Sequence, residues 1–154
     1  MRRWLVLAFI FLLVAGAQAA ERKVVFRVHL EANPRDGAVF AQPLRSLTGK
    51  PVYIEKTPCL SERDVKAFYP YRATDGSYGA LLQFDDHGRT VLDTLSVERR
   101  GAVVYLFING RPLTELQIDR RVVDGKIYLA SGLTNDDIKS MAKNWKLLGG
   151  RKKK

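Results

Sequence analysis

Tyr78-Gly79-Ala80-Leu81-Leu82-Gln83-Phe84-Asp85-Asp86-His87-Gly88 joins a strand pattern to a helix start, and that junction decides the fold. The stretch from Tyr78 to Phe84 has the length and apolar character of a strand, and Asp85 or Asp86 stands where a carboxylate caps the next helix. Val91, Leu92 and Leu95 give that helix an apolar stripe, and Gly101 closes it.

Downstream the pattern continues. Ala102 to Ile108 is apolar without alternation, which predicts a central strand covered on both faces. Asn109-Gly110 supplies the left-handed conformations of a tight turn. Leu113 to Val122 alternates, Asp124-Gly125 turns the chain again, and Ile127 to Ala130 reads as a further strand. Thr134 and Asp137 have capping-box spacing, with Ile138, Met141, Ala142 and Trp145 on one helical face behind them. Trp145 is expected to anchor that helix to the sheet.

Upstream, Val24, Phe26, Val28 and Leu30 alternate with Val25, Arg27, His29 and Glu31, the pattern of a half-buried strand. Asn33-Pro34-Arg35-Asp36-Gly37 breaks it, a short strand is expected near Ala38 to Pro43, and another at Val52-Tyr53-Ile54. Ser61 and Asp64 repeat the capping spacing, which predicts a short helix over 62–68 that Pro70 stops. The whole is one α+β domain: a mainly antiparallel sheet with about three helices packed on one face.

The two ends read differently from the body. Arg2 and Arg3, an apolar run from Trp4 to about Gly16, and small Ala17 and Ala19 form a signal-peptide pattern over 1–19, cut between Ala19 and Ala20. That run falls short of the roughly 20 residues a spanning helix needs. A domain over 20–148 and a basic tail over 149–154 are expected, the product being periplasmic or secreted without a transmembrane anchor. The formal charge of +10 is concentrated: residues 20–138 hold seventeen basic and sixteen acidic side chains, and no acid follows Asp137. Lys146, Arg151, Lys152, Lys153 and Lys154 are therefore candidate surface-binding residues for an anionic membrane or lipopolysaccharide, beside the plainer reading of a solvated helix end. Cys59 is the one cysteine, so no intrachain disulfide can form; it reads as a buried small apolar group, with an intermolecular bridge as the alternative.

The strand ending in Phe84, Asp85-Asp86-His87-Gly88, the helix, Val103 to Ile108, Asn109-Gly110, Ile118, Asp124-Gly125, Ile127 and the Thr134-capped helix follow one family's order. This order resembles the head subdomain of the first large periplasmic region of SecD/SecDF, the membrane component that assists preprotein translocation. The resemblance is best over 52–145. It implies a SecD-head-like fold and contact with an emerging polypeptide or an envelope partner in protein export. It does not extend to the family's proton-driven motor, for which the chain has no further hydrophobic segment.

Catalytic signals are thin. His29 sits on the polar face of its strand and His87 in the Asp85–Gly88 turn; both read as solvated, and neither pairs obviously with Cys59. Capping explains Asp85-Asp86-His87 better than metal binding does. Ser131-Gly132-Leu133-Thr134 lacks P-loop spacing, and Arg99-Arg100 and Arg120-Arg121 are not interleaved with aromatics as in a nucleic-acid platform. The sequence reads as a non-enzyme with no catalytic residue, cofactor, metal or nucleic-acid partner: a binding or accessory module. The alternatives are an envelope-surface binder acting through the basic tail and an uncharacterised hydrolase, which would need His87, Asp85, Asp86 and another element to converge.

Overall fold

Alternation in the first strand sets the layers. In β1 (Phe26–Leu30), Phe26, Val28 and Leu30 are buried together with Val24, while Arg27 and His29 face the other way. β1 pairs antiparallel with β4 (Leu60–Ser61) and β7 (Val103–Ile108), and β8 (Arg111–Gln117) flanks β7, giving the order β4-β1-β7-β8. Val28 stands opposite Leu106, so Val104, Leu106 and Ile108 share its inward face. The structure, a computed structural model, describes residues 23–149; the expected leader and its cut, and Arg151–Lys154 of the tail, lie outside them.

The second sheet holds β5 (Val65–Arg72), β6 (Tyr78–Phe84), β9 (Lys126–Leu133) and β10 (Lys146–Leu147), in the order β10-β5-β6-β9. Its pairs are antiparallel except β10 with β5. Phe68, Leu82, Phe84, Ile127 and Leu129 turn inward and join the apolar face of the first sheet in one core. Trp145 binds the two layers: its ring lies 6.3 Å from Phe26 and 6.1 Å from Phe68, edge-on to both, and its Nε1 donates to the Glu62 carbonyl at 3.2 Å. The expected sheet is thus divided into two four-stranded layers, plus a hairpin of β2 (Ala41–Arg45) and β3 (Pro51–Glu55).

β7 is central, as its unbroken apolar run implies, with Tyr105 buried on the reverse face. The hairpin lies at that reverse face, where Ile54 is buried and bridges Glu31. Asn109 (φ 49°) and Gly110 (φ 82°) take the left-handed conformations required by the two-residue turn to β8.

Three helices are described. α1 (Gly37–Phe40) follows a 3-10 turn at Pro34–Asp36, so the strand expected from Ala38 begins only at Ala41. α2 (Asp86–Glu98) is capped by Asp85, whose Oδ1 accepts from the Gly88 amide at 2.8 Å. α3 (Asn135–Asn144) opens on the Thr134/Asp137 capping box and sets Met141 into the core; Ala142, expected on the same face, is exposed. Asp137 also reaches across the fold, since Asn109 Nδ2 donates to its Oδ1 at 2.9 Å and the Arg111 guanidinium pairs with its Oδ2. One buried carboxylate therefore joins the start of α3 to the β7–β8 turn.

The helix expected over 62–68 does not form. Asp64 Oδ2 accepts from the Ser61 amide at 2.7 Å and from its hydroxyl at 3.1 Å, but this closes a turn, and β5 follows at Val65. Pro70 lies inside that strand, beyond the reach of β10, where its missing N–H removes no ladder bond.

Candidate functional site

β8 and β9 are terminal strands of different sheets, and the space between them is not uniform. At one end they approach: Arg111 Nη2 donates to the Gly132 carbonyl at 3.1 Å, and Leu113 packs against Gly132. At the other end they part. β8 stops at Gln117 instead of running on to Val122, and the chain crosses α2 before entering β9. A cleft of about 330 Å³ opens there, walled by Leu60, Leu92, Leu95, Leu116, Ile118 and Ile127, with Gln117, Asp119, Arg120 and Lys126 also lining it.

The crossing segment is fastened to α2. Buried Ser96 donates its hydroxyl to the Asp93 carbonyl at 2.8 Å and accepts from the Val122 amide at 2.9 Å. Arg121 grips the Asp93 carboxylate with two bonds of 2.6 and 2.9 Å, which holds that carboxyl below its ordinary pKa. These ties fix to α2 the crossing segment whose Ile118, Asp119, Arg120 and Val122 line the cleft. The result is a preformed hollow at the low end of ligand-pocket size, suited to an apolar group.

Cys59 stands in the wall. Its thiol donates to the Val28 carbonyl at 3.2 Å, and burial pushes its pKa up to about 11, against the smaller opposing effect of its backbone hydrogen bond. It is a neutral, poorly nucleophilic wall group at physiological pH.

The other residues singled out from the sequence lie elsewhere. His87 and Asp85 do converge, but with Asp64 rather than Asp86; the ligand atoms of these three lie within 4.8 Å of one another. Their polar atoms are engaged locally: His87 Nδ1 meets Asp64 Oδ1 at 2.8 Å, Asp64 Oδ2 receives Ser61, and Asp85 caps α2. Partial burial opposes ionisation of Asp64, yet the Ser61 amide, His87 and the Ser61 hydroxyl together lower its pKa. Asp64 stands in this cluster in place of Asp86; its spacing from Ser61 points only to a helix cap, and the bonds it makes close a turn instead. His29, expected to be solvated, is half-buried; its Nδ1 lies 2.8 Å from the Glu55 carbonyl oxygen and its ring meets Phe107 edge-on. The hairpin over the reverse face of β1 is the reason. Lys146 is exposed on β10, at the edge of the second sheet, while Arg151, Lys152, Lys153 and Lys154 lie outside the described residues. Arg99 is drawn to Glu55 at 3.5 Å and Arg121 to Asp93, so the paired arginines do not act as one free basic patch.

No family model and no curated protein matches the sequence. Solved structures do match. One, described as "Structure and function of a membrane component SecDF that enhances protein export", superposes with a TM-score of 0.56 at 12% identity, over 82% of this chain and 64% of that one. A crystal structure of SecDF in "Super-membrane-facing form" gives a TM-score of 0.54 at 12% identity, over 80% of this chain and 19% of that one. The chain thus spans less than two thirds of either, and at this identity the likeness is one of fold. With its two layers, its capped helices and its order of turns, the chain carries a SecD-head-like fold.

Proposed function

We propose that this protein is an exported, non-catalytic module that holds an extended stretch of polypeptide during protein export. The observation that carries this reading is the apolar cleft between two terminal strands, on a fold like that of a component described as enhancing protein export. A terminal strand has one side without a neighbour, so a guest backbone can add to β8 or β9 while one of its apolar side chains enters the cleft. Leu92 and Leu95 of α2 receive that side chain, and the Ser96 and Arg121 ties hold the cleft open before binding. Hydrolysis is the weaker reading, because Asp64, Asp85 and His87 are absorbed by turn and cap bonds.

Export belongs to the same proposal: the chain loses residues 1–19, and 20–148 forms the working domain, placed in the periplasm or outside the cell. Mass spectrometry of protein recovered from the periplasm or medium checks the cut, with Ala20 as the expected first residue. Binding is tested by fluorescence anisotropy with a labelled, reduced and carboxymethylated polypeptide. Ile118→Trp, which fills the cleft mouth, is expected to weaken binding at least tenfold while leaving the circular dichroism spectrum unchanged. Absence of binding by the unaltered protein, or full affinity in a folded Ile118→Trp variant, overturns the reading.

A further inference from the structure

The outer face of the second sheet carries a second surface, and its register shows what that surface presents. Lys146 stands opposite Ala67, Ala67 opposite Gln83 and Gln83 opposite Lys126, so the two lysines flank one row on one face. The next row on that face is Tyr69, Leu81 and Tyr128, with Tyr69 54% and Tyr128 60% exposed. Tyr71 comes from the third row, opposite Gly79. It leans over that glycine to stack on Tyr128, ring centroids 5.4 Å apart and planes 9° from parallel, and its hydroxyl donates to the Leu129 carbonyl. Tyr128 is thus presented by a packed neighbour, and little side-chain freedom remains to be lost on docking.

Charge completes the surface. Beside Leu81 and Tyr128 lies a hollow of about 430 Å³ lined also by Arg120, Val123, Asp124 and Lys126. Among the described residues, Lys126, Lys146 and Arg120 take part in no ion pair. The chain leaves this sheet through β10, and its last four residues, Arg151 to Lys154, are all basic.

From this juxtaposition we propose that the outer face of the second sheet docks on an anionic lipid bilayer. Tyr69, Leu81 and Tyr128 enter the headgroup region, and Lys126 and Lys146 meet lipid phosphates on either side. Tyrosine suits this position because its ring is apolar and its hydroxyl stays wet, as in the aromatic belts of membrane proteins. An extended polypeptide is served by unpaired strand edges and pockets, which lie at the cleft; a sheet face with rings centred between cations fits a planar, negatively charged surface. This proposal does not depend on the polypeptide reading, since Tyr69, Leu81 and Lys146 lie outside the cleft, while Arg120, Val122, Lys126 and Tyr128 border both surfaces.

The test is co-sedimentation of the chain from Ala20 to Lys154, which contains every described element, with protein-free vesicles of phosphatidylethanolamine and phosphatidylglycerol. Phosphatidylcholine vesicles serve as the uncharged comparison. Binding is expected to anionic vesicles only and to fall with added salt. Removing one such lysine should weaken partitioning about fivefold, and the Lys126→Gln/Lys146→Gln double variant roughly 25-fold. Tyr69→Ser/Tyr128→Ser should weaken binding while keeping its salt dependence, and Ile118→Trp should bind vesicles like the parent. The proposal is overturned if the parent does not bind anionic vesicles. It is also overturned if deletion of residues 151–154 abolishes binding while both surface double variants, folded by circular dichroism, sediment like the parent, or if those variants lose polypeptide binding and keep lipid binding.

Discussion

Asp137→Asn removes one charge and one acceptor at the point where α3 meets the β7–β8 turn, and its consequence can be worked from the bonds it breaks. Asp137 is 5% exposed; its Oδ2 accepts from the Thr134 amide and hydroxyl, each at 2.9 Å, and pairs with Arg111, while Oδ1 accepts from Asn109 at 2.9 Å. An amide keeps one acceptor oxygen but turns an NH2 group toward donors at the other position, so at least one of these four contacts, that of Asn109, is lost, the three at Oδ2 are lost in the opposite orientation, and none of them keeps a charged acceptor. Loss of the cap contributes about 1 kcal/mol, and the unmet donors about 1–3 kcal/mol more. The Arg111 pair adds little, because its guanidinium is 40% exposed and solvent screens it. A total of about 3 kcal/mol corresponds to a fall in Tm on the order of 10 °C for a domain of this size. Acidity provides a second reading. Burial alone would raise the pKa of Asp137, but the Thr134 amide and hydroxyl and Arg111 outweigh it, and the folded-state value is depressed. A depressed carboxyl pKa contributes stability fully present above the unfolded value of about 3.9 and lost as pH falls through the folded one. Urea denaturation at pH 7 should therefore separate the parent from Asp137→Asn by the full amount, and at pH 3 and below the gap should narrow. Equal midpoints at pH 7, or a gap that stays constant into acid, would refute the assignment of Asp137 as the charged tie between these elements.

Gly79→Ala should destabilise by about 2–3 kcal/mol, because the new Cβ would lie 2.2 Å from the Tyr71 ring and 2.5 Å from the Leu129 carbonyl oxygen. Near-ultraviolet circular dichroism should report loss of the Tyr71–Tyr128 stack, and an unchanged spectrum and Tm would count against the packing described. With its pKa near 11, Cys59 should react with a disulfide reagent at pH 8 on the order of a hundredfold more slowly in the native protein than in guanidinium; rates within tenfold would contradict its burial. Trp145→Ala should cost about 3–5 kcal/mol by emptying the contact between Phe26 and Phe68, measured as a shift in urea midpoint at unchanged slope.

How far the chain could be read before its structure is clearest where one signature had two outcomes. Ser61/Asp64 and Thr134/Asp137 share their spacing, and in both the carboxylate accepts from the backbone amide three residues before it, at 2.7 and 2.9 Å. The signature specifies that local turn and nothing beyond it. After Thr134, Ile138, Met141 and Trp145 recur at helical spacing, and a helix propagates; after Ser61, Val65, Tyr69 and Tyr71 favour a strand and Pro70 excludes a helix interior. The alternating tyrosines were the available signal for β5, and with Tyr128 for the exposed sheet face. Alternation in β1 likewise identified its inward residues, because period two is a local property. It cannot say against which sheet those residues pack, and the division into two layers rests on contacts such as Phe26 with Trp145, far apart in sequence. β10 is only Lys146–Leu147 and has no pattern of its own; it pairs with β5 because burial of Trp145 brings the chain alongside Ala67 and Phe68. The cleft is less local still. It exists because β8 and β9 are drawn together at Arg111 and Gly132 and held apart where Arg121 and Ser96 pin the crossing segment to α2. Each tie joins residues from different elements, so the hollow between them is a property of the assembled layers, and variants of Ser96 or Asp93 should change its shape without touching a residue that alternation or capping would have marked.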